Sequence, residues 1–115
     1  MPIVTPSLFI QPILQRTQGI SSPMSQVLDA QTNFSTIDSI LAINLSNIPI
    51  FVSVLISTNN FIVVPPTQIQ PNSMIELLKG AYFSLDTGEI LLASSDSSQN
   101  LFNINIEGKL FLEIS

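Results

Sequence analysis

The side chains that most often carry catalysis are scarce in this chain. It contains no histidine and no cysteine, and its basic residues are Arg16, Lys79 and Lys109. Serine–histidine–aspartate and cysteine–histidine catalysis are therefore excluded. Serine–lysine catalysis needs a lysine with a perturbed pKa in a cleft, whereas both lysines adjoin a glycine at a predicted strand end, where we expect solvated side chains. We predict that the protein is not an enzyme.

Two carboxylates come closest to a metal-binding pattern. The sequence Asp86-Thr87-Gly88-Glu89 superficially resembles a calcium loop, but the ligand order of an EF-hand is missing and no helical pattern flanks it. Aspartate and glycine are also the residues that tight turns favour. We predict a hairpin turn at this position, with no bound metal and no cofactor.

The overall composition excludes several classes of partner. Charged residues make up only 10% of the chain, and its net charge is −5. With so few basic residues, neither nucleic acid nor an anionic membrane surface is an expected partner. The apolar runs are too short to span a bilayer. The N-terminal residues lack the basic and long apolar regions of a secretory signal, so we expect synthesis in the cytoplasm.

Short apolar segments separated by turn residues predict an all-β fold. The segment 50–57 is rich in β-branched residues and is expected to form a strand in the middle of a sheet. Turn signals every 8–12 residues favour an antiparallel β-sandwich of about eight strands, either jelly-roll or immunoglobulin-like. The residues predicted to form the core are Ile40, Ala42, Val52, Val54, Ile56, Ile104 and Ile106.

The predicted strands can be placed along the chain from these turn signals. The final segment is expected to be two strands or one long strand bent at Gly108, and the Pro65-Pro66 pair is expected to end a strand or to lie at a sheet edge. The predicted strands cover residues 26–30, 36–45, 50–57, 61–64, 74–78, 81–85, 89–94, 102–107 and 109–114.

The first 25 residues differ from the rest. Four prolines interrupt scattered apolar residues, which predicts an extended N-terminal arm at 1–25 ahead of a sandwich domain at 26–115. The arm is expected to dock on its own domain or on a neighbouring chain, and an ordinary first edge strand is the alternative. The segment 16–22 is predicted to be a loop.

The strand at 36–45 carries more apolar side chains than one face can bury. If Ile40 and Ala42 face the core, then the opposite parity, which includes Ile37, faces outward, and such a patch implies a partner. The alternatives are that the two faces are exchanged or that the chain's own arm covers the sheet. The candidate interface residues are Leu8, Phe9 and Ile10 in the arm, and Leu41, Ile43, Leu45, Phe51 and Leu55 in the domain.

From Ser35 onward, the order of strand ends and turns resembles a group of small structural proteins of tailed bacteriophages. Their pattern has a strand ending in a small residue and Asn, a Val-rich strand, a strand ending in Pro, and a "Pro, polar, Ser, apolar-Glu-Leu" step. A glycine turn then leads into a strand ending in Ala-Ser, and a final apolar strand closes in Leu-Glu-Ile. Here the turn is Gly88-Glu89, where the family usually has Gly-Asp. The corresponding segments are 40–44, 52–54, 61–65, 70–77, 87–94 and 112–115.

The resemblance implies a virion β-sandwich, most simply a capsid decoration (cement) protein that stabilises the head. It implies a homo-oligomer, with a trimer favoured, bound to other virion proteins such as the major capsid protein. The alternative within this class is a neck, tail or fibre component, including a receptor-binding module. Such a module normally displays surface aromatics, yet Tyr82 is the only tyrosine and tryptophan is absent. A secreted adhesive or pilus-like domain is a further alternative.

Overall fold

The computed structural model of the chain describes residues 7–20, 25–29, 33–96 and 102–114. Strands account for more than half of the sequence, and the described part contains one helical element, a 3₁₀ turn at Thr58–Asn60. The strands are β1 (Ser7–Ile20), β2 (Ser25–Leu28), β3 (Ser35–Asn44), β4 (Ile50–Ile56), β5 (Phe61–Ile69), β6 (Ser73–Glu76), β7 (Phe83–Leu85), β8 (Leu91–Ser95) and β9 (Phe102–Ile114).

The strands form two antiparallel sheets that pack face to face. Sheet I has the order β1-β9-β3-β6, with β7 also paired to β3, and sheet II has the order β2-β8-β4-β5. The first strand, β1, pairs with the last strand, β9, and β2 pairs with β8. The innermost strands, β4 and β5, pair with each other. This winding is that of a jelly roll, so the predicted β-sandwich is confirmed in its jelly-roll form.

The core between the sheets contains all seven residues that the sequence predicted. Their side chains are at most 7% exposed, and Ile40, Val54 and Ile104 are fully buried. Strand β4 lies between β8 and β5, as expected for a strand inside a sheet. Alternation explains the success, because every second residue of a half-buried strand must face the core.

A β-bulge reverses this alternation within β3. The register between β3 and β9 shifts between Ile37 and Ser39, so that Asp38 is the extra residue. Ile37 is consequently fully buried, although its parity with Leu41 predicted an outward side chain. That prediction is wrong because simple alternation fails across a bulge.

Gly108 lies opposite this bulge. It pairs with Ile37 on one side and with Ile13 on the other, within a single unbroken strand β9. Of the two predicted forms of this segment, the single long strand is therefore correct. The backbone approaches so closely that an added Cβ would lie 2.2 Å from the carbonyl oxygen of Thr36.

Most of the described part of the predicted N-terminal arm, residues 7–20, lies in sheet I, whereas Ser25 begins β2 of sheet II. Strand β1 pairs with β9 from Ser7 to Ile20 as the first strand of the sheet, which corresponds to the edge-strand alternative. Residues 1–6 and 21–24 lie outside the described residues. The loop prediction is wrong for Arg16, Thr17 and Ile20, which pair with β9 on either side of a register shift.

Strand β5 also differs from its prediction. It continues through Pro65 and Pro66 to Ile69, beyond the predicted bounds of 61–64, and of the two outcomes predicted for these prolines the position at a sheet edge is correct. Because β5 is the edge strand of sheet II, its prolines need not donate to a neighbour on the outer side. The predicted turn before it is present, and Asn59 adopts the expected positive φ of 57°.

Shortening a core side chain is expected to reduce stability. Val54→Ala removes two methyl groups from a fully buried position between β8 and β5. The expected cost is about 1–3 kcal/mol, from lost apolar burial and the cavity left behind. Urea denaturation measures it, and an unchanged midpoint and slope would show that Val54 contributes no core packing.

Candidate interaction surfaces

The outer face of sheet I carries an apolar patch that we call the sheet I patch, formed by Leu41, Ile43 and Met74. Ile43 lies directly opposite Met74 in the pairing of β3 with β6. Leu41 and Ile43 are half-buried, whereas Met74 is 66% exposed. The sequence predicted the first two residues as outward, and it missed Met74 because β6 is a short strand at the sheet edge.

A carboxylate next to this patch has a structural role. Glu76 lies opposite Leu41, and its Oε1 accepts a hydrogen bond of 2.8 Å from the backbone N–H of Ile40. Its Oε2 accepts from the backbone N–H of Lys79. Glu76 therefore supports β3 close to the bulge and joins it to the turn after β6, rather than being free to react.

The outer face of sheet II carries a second apolar group, the sheet II patch, in which Leu55, Ile62 and Leu92 lie side by side on three strands. Ile62 is 56% exposed and the nearby Phe61 is 64% exposed. Leu55 is only 8% exposed, so its predicted exposure is wrong. Aliphatic side chains directly opposite it on β5 and β8 flank it on the same face.

A third apolar group, the β1–β9 patch, lies on the outer face of sheet I near the start of β1. Ile10 and Leu14 are 57% and 56% exposed. Ile10 pairs with Phe111, whose ring lies 5.8 Å from that of Phe34. Only Ile10 was predicted from the sequence. The alternation of apolar residues at 8, 10, 12 and 14 indicated Leu14 as well. Leu14 was not among the predicted residues, because the segment was expected to be an irregular arm.

The remaining predicted interface residues occupy different environments. Leu45 follows the end of β3 and is 51% exposed, and Phe51 on the outer face of β4 is 44% exposed. Leu8 and Phe9 belong to β1, but their side chains lie outside the described part of the structure. The predicted set is thus divided between both sheets and does not form one continuous surface.

The candidate carboxylate site is a self-contained turn. The backbone N–H of Asp86 donates to Glu89 Oε1 at 2.7 Å, and the N–H of Glu89 donates to the carbonyl of Asp86 at 3.1 Å. Gly88 has a φ of 86°, which glycine adopts without strain. Glu89 thus supports the predicted turn, but the turn is not a hairpin, because β7 pairs with β3 in sheet I and β8 lies in sheet II. Within the described residues, no three potential ligands cluster as a metal site would require.

The clefts in the described part of the surface are open and carry few groups capable of chemistry. The cleft between β5 and the β6–β7 connection has a volume of about 360 Å³ and includes Leu78, Lys79 and Tyr82. A cleft of about 180 Å³ on sheet II includes Phe51 and Asp96, which are already joined by a backbone-to-carboxylate hydrogen bond of 2.9 Å. Among the residues described, no helix has the length and apolar character to cross a membrane.

Comparison with known proteins relates this chain to others by fold. No family model and no curated protein matches the sequence. The structure is similar to a chain of Bacillus endospore appendages, described as a novel family of disulfide-linked pili, with a TM-score of 0.56 and 6% identity over 95% of this chain and 92% of that chain. At such low identity, the likeness shows a shared β-rich fold alone.

A second solved structure has a weaker likeness. It is a chain of the T13 IBDV viral particle, with a TM-score of 0.40 and 10% identity. The match covers 90% of this chain but only 31% of the viral one. The match thus spans less than a third of the viral chain, and a likeness of this size carries no argument.

Proposed function

We propose that this protein is a non-enzymatic structural subunit of a bacteriophage virion, and that it decorates and stabilises the capsid as a homo-oligomer. The observation that carries the proposal is the exposure of large apolar side chains on the outer faces of both sheets, at Met74 on sheet I and Ile62 on sheet II. Monomeric proteins rarely expose large contiguous apolar patches, whereas subunits of an assembly bury such patches against neighbours. The resemblance of residues 35–115 to phage structural proteins supports the choice of particle.

A sandwich with two apolar outer faces is suited to bridging. One face can pack against a second copy of the chain while the other packs against another virion protein, such as the major capsid protein. A cement protein stabilises a head by adding buried area between capsomers, and each stable contact of this kind buries roughly 800 Å² per partner. The low charge of the chain keeps the desolvation cost of such contacts small.

A charge placed in the sheet I patch is expected to dissociate the oligomer. Met74→Asp should weaken self-association at least about tenfold, because an aspartate at an apolar interface is desolvated without a partner. Met74 suits this test better than Leu41, because an aspartate at position 41 would lie opposite the carboxylate of Glu76 within the same chain. Light scattering and sedimentation velocity measure the effect, and Ser84→Asp on the exposed surface of the same sheet is the control. A wild-type protein that stays monomeric at high concentration would contradict the proposal.

A subunit of an extracellular appendage is the second candidate, favoured by the fold likeness that spans nearly all of both chains. The Bacillus pili are disulfide-linked, whereas this chain has no cysteine, so its subunits would have to associate without disulfide links. A neck, tail or fibre component is the remaining alternative within the virion.

Electron microscopy of the purified chain separates these candidates. A decoration protein should form closed oligomers, and antibodies against it should label phage heads. An appendage subunit should form open filaments, because a contact that does not close propagates. Labelling of tails or fibres instead of heads would leave a virion role intact and overturn decoration of the capsid.

A further inference from the structure

Strand β1 presents an unusually open sheet edge. It is 14 residues long and is the first strand of sheet I, with β9 on one side and no described strand on the other. Such an edge offers a row of unpaired backbone N–H and C=O groups to another chain. Folded proteins usually protect long edges with charges, prolines or bulges. Strand β1 carries one charge, Arg16, one proline, Pro12, and a register shift between Thr17 and Ile20, so its regular stretch runs from Ser7 to Thr17.

The other edges of the described sandwich are less suitable for pairing. Strand β5 closes the opposite side of sheet II and contains Pro65 and Pro66. Strand β2 has only four residues, and β6 and β7 have four and three. Proline removes ladder donors, and short strands offer few of them. Within the described residues, β1 is therefore the edge best able to support an intermolecular ladder.

The exposed side chains of β1 are arranged symmetrically about Pro12. Ile10 and Leu14 lie two residues before and after it, on the same outer face, and are 57% and 56% exposed. An antiparallel copy of β1 related by a two-fold axis at Pro12 would place Ile10 directly opposite Leu14 of the second copy, and the reverse. Opposed residues of this kind lie about 4.5–5.5 Å apart between Cβ atoms and exclude water from each other.

The axis position also agrees with the backbone chemistry of β1. Proline has no N–H, so each β1 lacks one donor at this residue. With Pro12 on the axis, both missing donors fall at one point, and the ladder is interrupted only once. The apolar surface extends there as well, because Ile10 pairs with Phe111, the ring of Phe111 lies near that of Phe34, and Leu14 of the second copy would extend this group.

We infer that two copies of this chain associate edge to edge through β1, as antiparallel strands about a two-fold axis at Pro12. Sheet I of one copy and sheet I of the other then form one continuous sheet across the interface. This inference rests on the proposed function and adds a second contact between copies of the chain: edge pairing through β1 forms a dimer, and the sheet I patch, at the opposite edge of the same sheet, joins dimers into a larger oligomer. It yields a dimer, or a higher assembly of even number, instead of the trimer that the sequence resemblance favoured.

Disulfide cross-linking tests the geometry directly, because the wild-type chain has no cysteine. Opposed residues in an antiparallel pair have Cα atoms about 4.5–5.5 Å apart, which a disulfide can span. Pro12→Cys should therefore form a covalent dimer on mild oxidation. Gln11→Cys should not, since its copies would be displaced by about 6.8 Å along the strands. Tyr82→Cys, 72% exposed in the β6–β7 connection, controls for random collision.

A second variant tests the contact without a cross-link. Leu14→Lys adds an edge charge at an already exposed position, so the protomer should fold normally while the dimer dissociation constant rises at least about tenfold. Tyr82→Lys is the matched control and should leave association unchanged. Circular dichroism verifies folding, and sedimentation velocity measures association.

The outcomes distinguish this inference from the proposed function. Selective cross-linking of Pro12→Cys together with dissociation of Leu14→Lys supports edge pairing. An oligomer that survives Leu14→Lys and shows no cross-linking preference for Pro12→Cys overturns edge pairing but leaves the structural role standing. A strictly monomeric wild-type chain overturns both.

Discussion

Replacing Gly108 with alanine is expected to remove about 3 kcal/mol of folding stability, as severe overpacking at a rigid contact does. The new methyl group would lie 2.2 Å from the Thr36 carbonyl oxygen, 3.1 Å from Ile37 Cα and 3.2 Å from Ile37 Cδ1. Two of these atoms belong to the backbone of β3 and cannot rotate away. The strands must instead separate, which breaks ladder hydrogen bonds at the β3 bulge.

The experiment compares Gly108→Ala with a neighbouring substitution by urea denaturation. Glu107→Ala alters an exposed residue of the same strand and should change stability by less than about 0.5 kcal/mol. Gly88→Ala is a second control, because its positive φ strains alanine while its Cβ would meet no atom within 4 Å. It should cost about 1 kcal/mol. Equal losses for Gly108→Ala and Gly88→Ala would refute the close-contact explanation.

The second large effect is expected at Asn44, which is fully buried at the end of β3. Its Oδ1 accepts hydrogen bonds from the backbone N–H and the hydroxyl of Ser46, at 2.9 and 2.6 Å. Its Nδ2 donates to the carbonyls of Ile48, Ile69 and Gln70, at 2.8, 3.1 and 3.2 Å. One amide therefore fastens the β3–β4 turn to the end of β5.

Asn44→Leu is expected to destabilise the fold by about 3 kcal/mol. Leucine retains most of the volume but leaves the backbone N–H of Ser46 and the carbonyl of Ile69 buried without their side-chain partner, and each unsatisfied group costs about 1–3 kcal/mol. Asn47→Leu, at an exposed position of the same turn, is the matched control and should have little effect. Chemical denaturation measures both, and similar midpoints for the two variants would show that the Asn44 network adds no net stability.

The sequence resemblance identified Asn44 and Glu76 only as parts of a pattern, and the structure explains both. Asn44 holds the turn at the end of β3, and Glu76 accepts the N–H of Ile40 beside the bulge. Each side chain satisfies backbone groups that the ladders leave unpaired. Such hydrogen bonds from a side chain to the backbone are difficult to predict from residue type and position in a strand, because several of the backbone groups involved are distant in sequence.

The sequence by itself determined the fold class, the core and the main turns of this protein. Alternating apolar residues identify the buried face of a strand without knowledge of its neighbours, which is why Ile40, Val54 and Ile104 were predicted correctly. Turn residues are equally local signals, as the positive φ of Asn59 and of Gly88 shows. The central position of β4 followed from its nearly all-apolar composition.

Only the tertiary structure decided which faces and edges remain open. Ile37 is buried because a bulge opposite Gly108 reverses the alternation of β3, and Leu55 is buried because Ile62 and Leu92 flank it from other strands. The N-terminal segment became a sheet edge because β9 extends far enough to pair with it. Each of these outcomes depends on the register between strands distant in sequence, which periodicity within one strand does not contain.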